Sequence, residues 1–167
     1  MRRAVTADPG PYIAALVVPS ALIAAVLVVQ YGFGLAPCDM CWWQRYPHFA
    51  AIGLAGAALA TRGTRMGETL VRLAALAIAA SGLIGAFHAG VEYGWWQGPT
   101  ACSSTSLGSD PLASIMSAPL IRCDTAPWTL FGVSLAGFNF LISVASAALI
   151  FALLGRRTHG LGEGVGR

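Results

Sequence analysis

Four stretches of this sequence, about 12–31, 42–60, 73–90 and 128–154, are apolar over the length a helix needs to cross a bilayer. That length is roughly 20 residues for a hydrocarbon core of about 30 Å. Nothing else in the chain restricts its fold as strongly. Inside hydrocarbon every backbone N–H and C=O needs a partner, and an unbroken apolar run of this length finds those partners within its own helix. Only 10% of the 167 residues are charged, against about a quarter in soluble domains. The expected fold class is all-α: a polytopic membrane protein, a four transmembrane helix bundle forming one domain over 1–155, with a tail at 156–167. The first run holds no charge and is too long for the core of a cleaved signal peptide. Pro19 within it is expected to kink the helix, and Pro47 falls in the first turns of the second run.

The charges give the expected topology. The chain has no lysine, and its arginines cluster at the ends of the apolar runs. Arg2, Arg3, Arg62, Arg65, Arg72, Arg156, Arg157 and Arg167 fall on one side of the four-span arrangement, and Arg45 and Arg122 on the other. Excess arginine marks the cytoplasmic side, so both termini and the short basic loop are expected in the cytoplasm. The turn before the second run and the long 91–127 connection then face outward. The same placement argues against a phosphate-binding patch, so no nucleic acid partner is expected. Within the long loop, the short apolar segments at 112–116 and 119–121 suit a membrane surface rather than a span.

All four cysteines sit in those outward segments. Cys38 and Cys41 form a C-x-x-C unit at the start of the second run, and Cys102 and Cys123 lie in the long loop. The outward side is the oxidising one, where disulfides persist. Four cysteines allow three pairings, and spacing does not choose among them. A C-x-x-C pair readily forms a small, reducible disulfide whose chemistry depends on how far a thiolate is favoured. Cys41 at a helix start benefits from free N–H groups, and Arg45, four residues on, shares its face. Two dithiol pairs on one side, one against the membrane and one on a loop, suit an electron relay. A structural clip remains an alternative for the loop pair. A zinc site is disfavoured because the second pair lacks C-x-x-C spacing, so no metal is expected.

Other polar residues sit inside the runs. His88 and Glu92 are four apart on the third helix, and Glu92 suits a pairing with His88 or Arg45, or plain solvation at the helix end. His48 reads first as a satisfied packing residue. Asn139, among Gly132, Ala136 and Gly137, reads as a hydrogen-bonding contact between helices. Trp42, Trp43, Trp95, Trp96 and Trp128 read as interfacial anchors.

At Cys38-Asp39-Met40-Cys41-Trp42-Trp43-Gln44-Arg45 the sequence resembles the C-x-x-C-x-x-[QE]-R signature of the disulfide bond formation protein DsbB family. The stretch His88 to Trp96, and Arg122-Cys123-Asp124 leading through Pro127-Trp128 to Asn139, are similar to that family too. The resemblance covers about 10–155. It implies a multi-pass enzyme of the bacterial inner membrane, with the cysteine loops periplasmic. Such an enzyme reoxidises a DsbA-like periplasmic thioredoxin-fold protein and passes electrons to a quinone of the membrane pool. Whether that is ubiquinone or menaquinone is left open. Carried over by position, Cys102 takes the mixed disulfide with the partner and Cys123 exchanges with Cys38. Cys41 faces the quinone as a thiolate beside Arg45, with His88 also at the quinone. The vitamin K epoxide reductase family uses similar parts, but there the loop cysteines precede the C-x-x-C pair. The rival readings are a reductant relay of that type and a structural or transport bundle with two stabilising disulfides.

Overall fold

The computed structural model describes residues 8–99 and 121–163, the stretch 157–163 as helical backbone only. Cys102 and the apolar segments expected at 112–116 and 119–121, except Ile121, lie outside the described residues. Four long helices dominate: α1 (Gly10–Gly32), α2 (Asp39–Ala60), α3 (Arg65–Glu92) and α4 (Leu135–Glu163), with a two-stranded hairpin, β1 (Thr129–Leu130) and β2 (Val133–Ser134), leading into α4. Three of them, α1, α3 and Leu135–Arg156 of α4, are long and apolar enough to cross a membrane. The less apolar α2 has 22 residues, about 33 Å at 1.5 Å per residue. α3 is the centre of the bundle and packs most extensively on α2 and α4, with α1 against α2 and α4.

The helix limits differ from the hydropathy limits at three places. α2 begins at Asp39 because Cys38 is its N-cap, its sulfur accepting the Cys41 N–H at 3.2 Å. α3 begins at Arg65, eight residues before the apolar run, because the Thr64 hydroxyl caps Gly67 N at 3.1 Å. The basic loop thus shrinks to 61–64, and Arg65 and Arg72 are helical. The fourth run does not start a helix at Trp128. Phe131 and Gly132 both have positive φ, 51° and 77°, and reverse the chain in a two-residue hairpin turn. Tyr93 pins this hairpin to the end of α3: its hydroxyl donates to the Gly132 carbonyl at 3.1 Å and accepts from Ser134 N at 3.0 Å. The Ser134 hydroxyl then accepts from Gly137 N and opens α4, which runs through 154 to Glu163. α1 and α2 remain helical through Pro19 and Pro47.

The two ends of the bundle are built differently. At the end holding the N-termini of α1 and α3, small and branched apolar side chains close the core: Ala15, Ala51, Ala55, Ala58, Val71, Ala74, Ile78, Ala147 and Ile150 are buried with Tyr12. At the other end the core is Cys38, Met40, Val91 and Cys123, with Cys41 against them. Adjoining this second core, in the same half of the bundle, are the buried polar side chains Gln44, Arg45, His48, Ser81, His88 and Ser143.

Candidate active site

The short 33–38 turn and the start of α2 deliver the C-x-x-C pair to the end of α3. The Cys38 and Cys41 sulfurs are 2.6 Å apart, and both are free thiols. Cys123 is disulfide-bonded, so its partner is neither of these. Its sulfur, the Cys38 sulfur and a ring nitrogen of His88 all lie within 4.8 Å of one another, and all three residues are buried. Thus Cys38 is turned toward the loop cysteine. Cys41 is turned elsewhere: with Arg45 it lines a cavity of about 350 Å³ that Cys38 does not line. The two thiols, ahead of the apolar stretch 42–60, are also split electrostatically. The hydrogen bond they share, together with burial, pushes the Cys38 thiol far up. The same bond holds the Cys41 thiol below its ordinary value against the cost of burial, and the Arg45 guanidinium adds to that effect.

The cavity wall is mostly aliphatic and aromatic, with Leu22, Ile23, Val26 and Val29 of α1 opposite Leu135, Phe138 and Ile142 of α4. Trp128 and Leu130 close it at the hairpin. Its polar groups converge from α2, α3 and α4: Arg45, Gln44, His48, His88, Glu92 and Asn139. An apolar crevice of this size with a few directed polar groups suits a small apolar ligand with a few hydrogen-bonding groups. Arg45 donates from Nη1 to Gln30 Oε1 at 2.7 Å, and its guanidinium lies 4.9 Å from the Trp42 ring centre. Gln30 was not singled out in the sequence; a polar residue near the end of an otherwise apolar helix was the available signal.

Behind the cavity a side-chain network crosses three helices. Gln44 Nε2 donates to its own helix at Met40 O, 3.0 Å, and meets His88 Nδ1 at 2.8 Å. Gln44 Oε1 accepts from Asn139 Nδ2 at 2.9 Å, and Asn139 Nδ2 also donates to Ser81 O at 3.1 Å. Asn139 Oδ1 accepts from His48 Nε2 and from the Ser143 hydroxyl, each at 2.9 Å. Asn139 is therefore the interhelical contact expected of it, and it ties in His48 as well. Room for this network comes from Gly85: a Cβ there would meet Ala136 O at 2.9 Å and Asn139 Nδ2 at 3.0 Å. Glu92 lies beside His88, Oε1 to Nε2 3.8 Å. Among the described residues His48 Nδ1 and Glu92 Oε2 are buried without a partner.

Cys38, His88 and Cys123 have the spacing of a soft-metal trio. The donor chemistry does not fit one. Cys123 is committed to a disulfide, and His88 accepts at Nδ1 from an amide, which leaves its proton on Nε2, the atom a metal would need.

A membrane-embedded four-helix protein with a dithiol pair beside a loop disulfide defines a class, the disulfide-forming membrane oxidoreductases. The family model of "Disulfide bond formation protein DsbB" matches residues 10–153, and the chain belongs to that family. It is a multi-pass bacterial membrane protein. A disulfide bond formation protein B of Verminephrobacter eiseniae is 33% identical over 151 residues, covering 84% of this chain and 82% of the relative. Proteins of the same name from Polaromonas (81% of this chain, 84% of the relative) and Acidovorax (88% and 87%) are each 31% identical. No solved structure matches the chain.

Proposed function

We propose that this protein is a thiol:quinone oxidoreductase that reoxidises a DsbA-like, thioredoxin-fold dithiol partner outside the cytoplasmic membrane. Its cysteine end faces the periplasm and both termini face the cytoplasm. The observation that carries the proposal is the division of one sulfur pair. Cys38 lies by the loop cysteine Cys123, while Cys41, 2.6 Å away, lies on the wall of an apolar cavity with Arg45.

The residues then act in order. A partner thiolate attacks Cys102 in a loop disulfide with Cys123, and the bonding electron pair leaves on the Cys123 sulfur. Cys123 attacks Cys38 of the oxidised Cys38 and Cys41 pair, and Cys41 leaves as a thiolate at the cavity. Arg45 and the first turn of α2 hold that negative charge. A bound quinone, ubiquinone or menaquinone, supplies a two-electron, two-proton acceptor. Arg45, with His88 on the same wall, would hold such a group by its carbonyls, and the aliphatic side chains of α1 and α4 would exclude water. The partner's second thiol displaces Cys102 from the mixed disulfide, Cys102 closes again on Cys123, and Cys38 leaves with the electron pair, so that the partner's two thiols end as a disulfide and the Cys38 and Cys41 pair ends reduced. The direction follows from potentials, since quinones are far stronger oxidants than a dithiol pair.

The test is anaerobic quinone reduction by the purified protein, with a reduced thioredoxin-fold dithiol protein as donor. One quinol per partner disulfide is expected. Absence of quinol while the Cys38 and Cys41 pair is intact overturns the proposal, and quinol-driven reduction of the partner instead would make it a reductant relay.

A further inference from the structure

The amide orientations in the buried network are fixed by main-chain carbonyls, which only accept. Met40 O takes a hydrogen bond from Gln44, so the nitrogen of that amide is Nε2, the atom 2.8 Å from His88 Nδ1. Ser81 O takes one from Asn139, so Asn139 presents Nδ2 to Gln44 Oε1 and keeps that amide from turning over. His88 Nδ1 therefore faces a donor and must carry a lone pair. A neutral ring then has its proton on Nε2. That atom is 3.2 Å from the Cys123 carbonyl and 3.7 Å from the Cys38 sulfur, and Glu92 Oε1 lies 3.8 Å away.

From this geometry we infer that Gln44 is a positioning residue: it locks His88 as the Nε2–H tautomer, so that His88 serves the Cys38 sulfur as a hydrogen-bond donor. The consequence for exchange rests on the reading of Cys38 as the sulfur that trades with the loop. When the Cys38 bond to Cys123 breaks, the electron pair leaves on Cys38, and the Nε2–H, held beforehand between the Cys123 carbonyl at 3.2 Å and that sulfur at 3.7 Å, shifts toward the new thiolate and stabilises it without giving up its proton. The opposite tautomer would aim a lone pair at the sulfur and act as a base. Cys41 and Glu92 are the other ionisable groups around the ring and the sulfur. Cys41 shares its hydrogen bond with Cys38, the Cys123 carbonyl is the nearest acceptor for Nε2–H at 3.2 Å, and Glu92 lies farther off at 3.8 Å.

Nitrogen NMR of the full-length, histidine-labelled protein in detergent, with the C-x-x-C pair reduced, reads the tautomer directly. We expect His88 to be protonated at Nε2 only, and Gln44→Glu, which offers an acceptor instead, to move a proton onto Nδ1. A wild-type His88 protonated at Nδ1, alone or on both nitrogens, overturns the lock. The second readout is the alkylation rate of Cys38 near neutral pH in a Cys41→Ser background. Gln44→Leu should slow it about tenfold, the worth of one hydrogen bond to a charged group. In a His88→Asn background the same change should do little, because a positioning residue acts only through the residue it positions. Equal slowing with and without His88 overturns the inference. Neither readout needs quinone or partner. Failure of quinone reduction with the tautomer as expected would sink the oxidase reading and leave the lock standing.

Discussion

The two ends of this bundle use the same four helices for opposite purposes. At one end Ala51, Ala55, Ala58, Ala74 and Ala75 let the helices approach, and Ile78 and Ile150 fill what remains. Apart from the Tyr12 hydroxyl, the side chains buried there among the described residues are apolar. At the other end the helices enclose Gln44, His48, Ser81, His88 and Asn139, each buried or part-buried and hydrogen-bonded across helices. Burying polar groups at membrane depth costs free energy unless they are paired, and such residues mark function more often than packing. Stability should therefore reside in the alanine-rich end and chemistry in the cysteine end.

Separating the two by mutation tests the comparison. The largest effect is expected from Cys41→Ser. Turnover should fall to near zero in the quinone assay while helix content and melting temperature stay close to wild type. A drop in stability with turnover retained would instead favour a bundle stapled by disulfides. Ile150→Ala should do the reverse. Ile150 is fully buried at the alanine-rich end, and its truncation leaves a cavity worth about 2–4 kcal/mol in an unfolding titration. The quinone KM of the folded protein should not move; a shift would show that the ends are coupled. Arg45→Lys keeps the charge but loses the planar fork that binds Gln30 and stacks near Trp42. The expected outcome is a rise in quinone KM of about tenfold, the equivalent of roughly 1.4 kcal/mol, with little change in stability. An unchanged KM would make Arg45 an interfacial anchor only. The smallest effect belongs to Phe131→Asn. Phe131 is 95% exposed and holds φ at 51°, where asparagine is at ease, so the variant should gain about 0.5 kcal/mol in the same unfolding titration.

The sequence made the cysteine end legible in outline. Hydropathy located all four helices, and the C-x-x-C unit with Arg45 marked the site. The helix starts were harder. Thr64 and Ser134 carry N-cap chemistry that sets the first residues of α3 and α4, but averaging over apolar residues hides a single capping hydroxyl. At 128–134 every strand residue is compatible with a membrane helix, and only Phe131-Gly132 breaks it, held by a Tyr93 hydroxyl from another helix. The network was less legible still. In the sequence Gln44 is one position of the C-x-x-C-x-x-[QE]-R stretch beside Arg45, and in the fold it is the hub that joins His88 on α3 to Asn139 on α4. Pairings between residues 44 and 95 positions apart depend on which faces meet, and one sequence does not show that.

If Cys38 and Cys41, adjacent in space, serve different partners, the visible absorption spectrum of the purified protein with the C-x-x-C pair reduced and quinone added will show it. A thiolate beside a quinone ring should give a charge-transfer band that Cys41→Ser abolishes and Cys38→Ser retains. A band that survives Cys41→Ser, or one that depends on Cys38 instead, would contradict the assignment of Cys41 to the cavity.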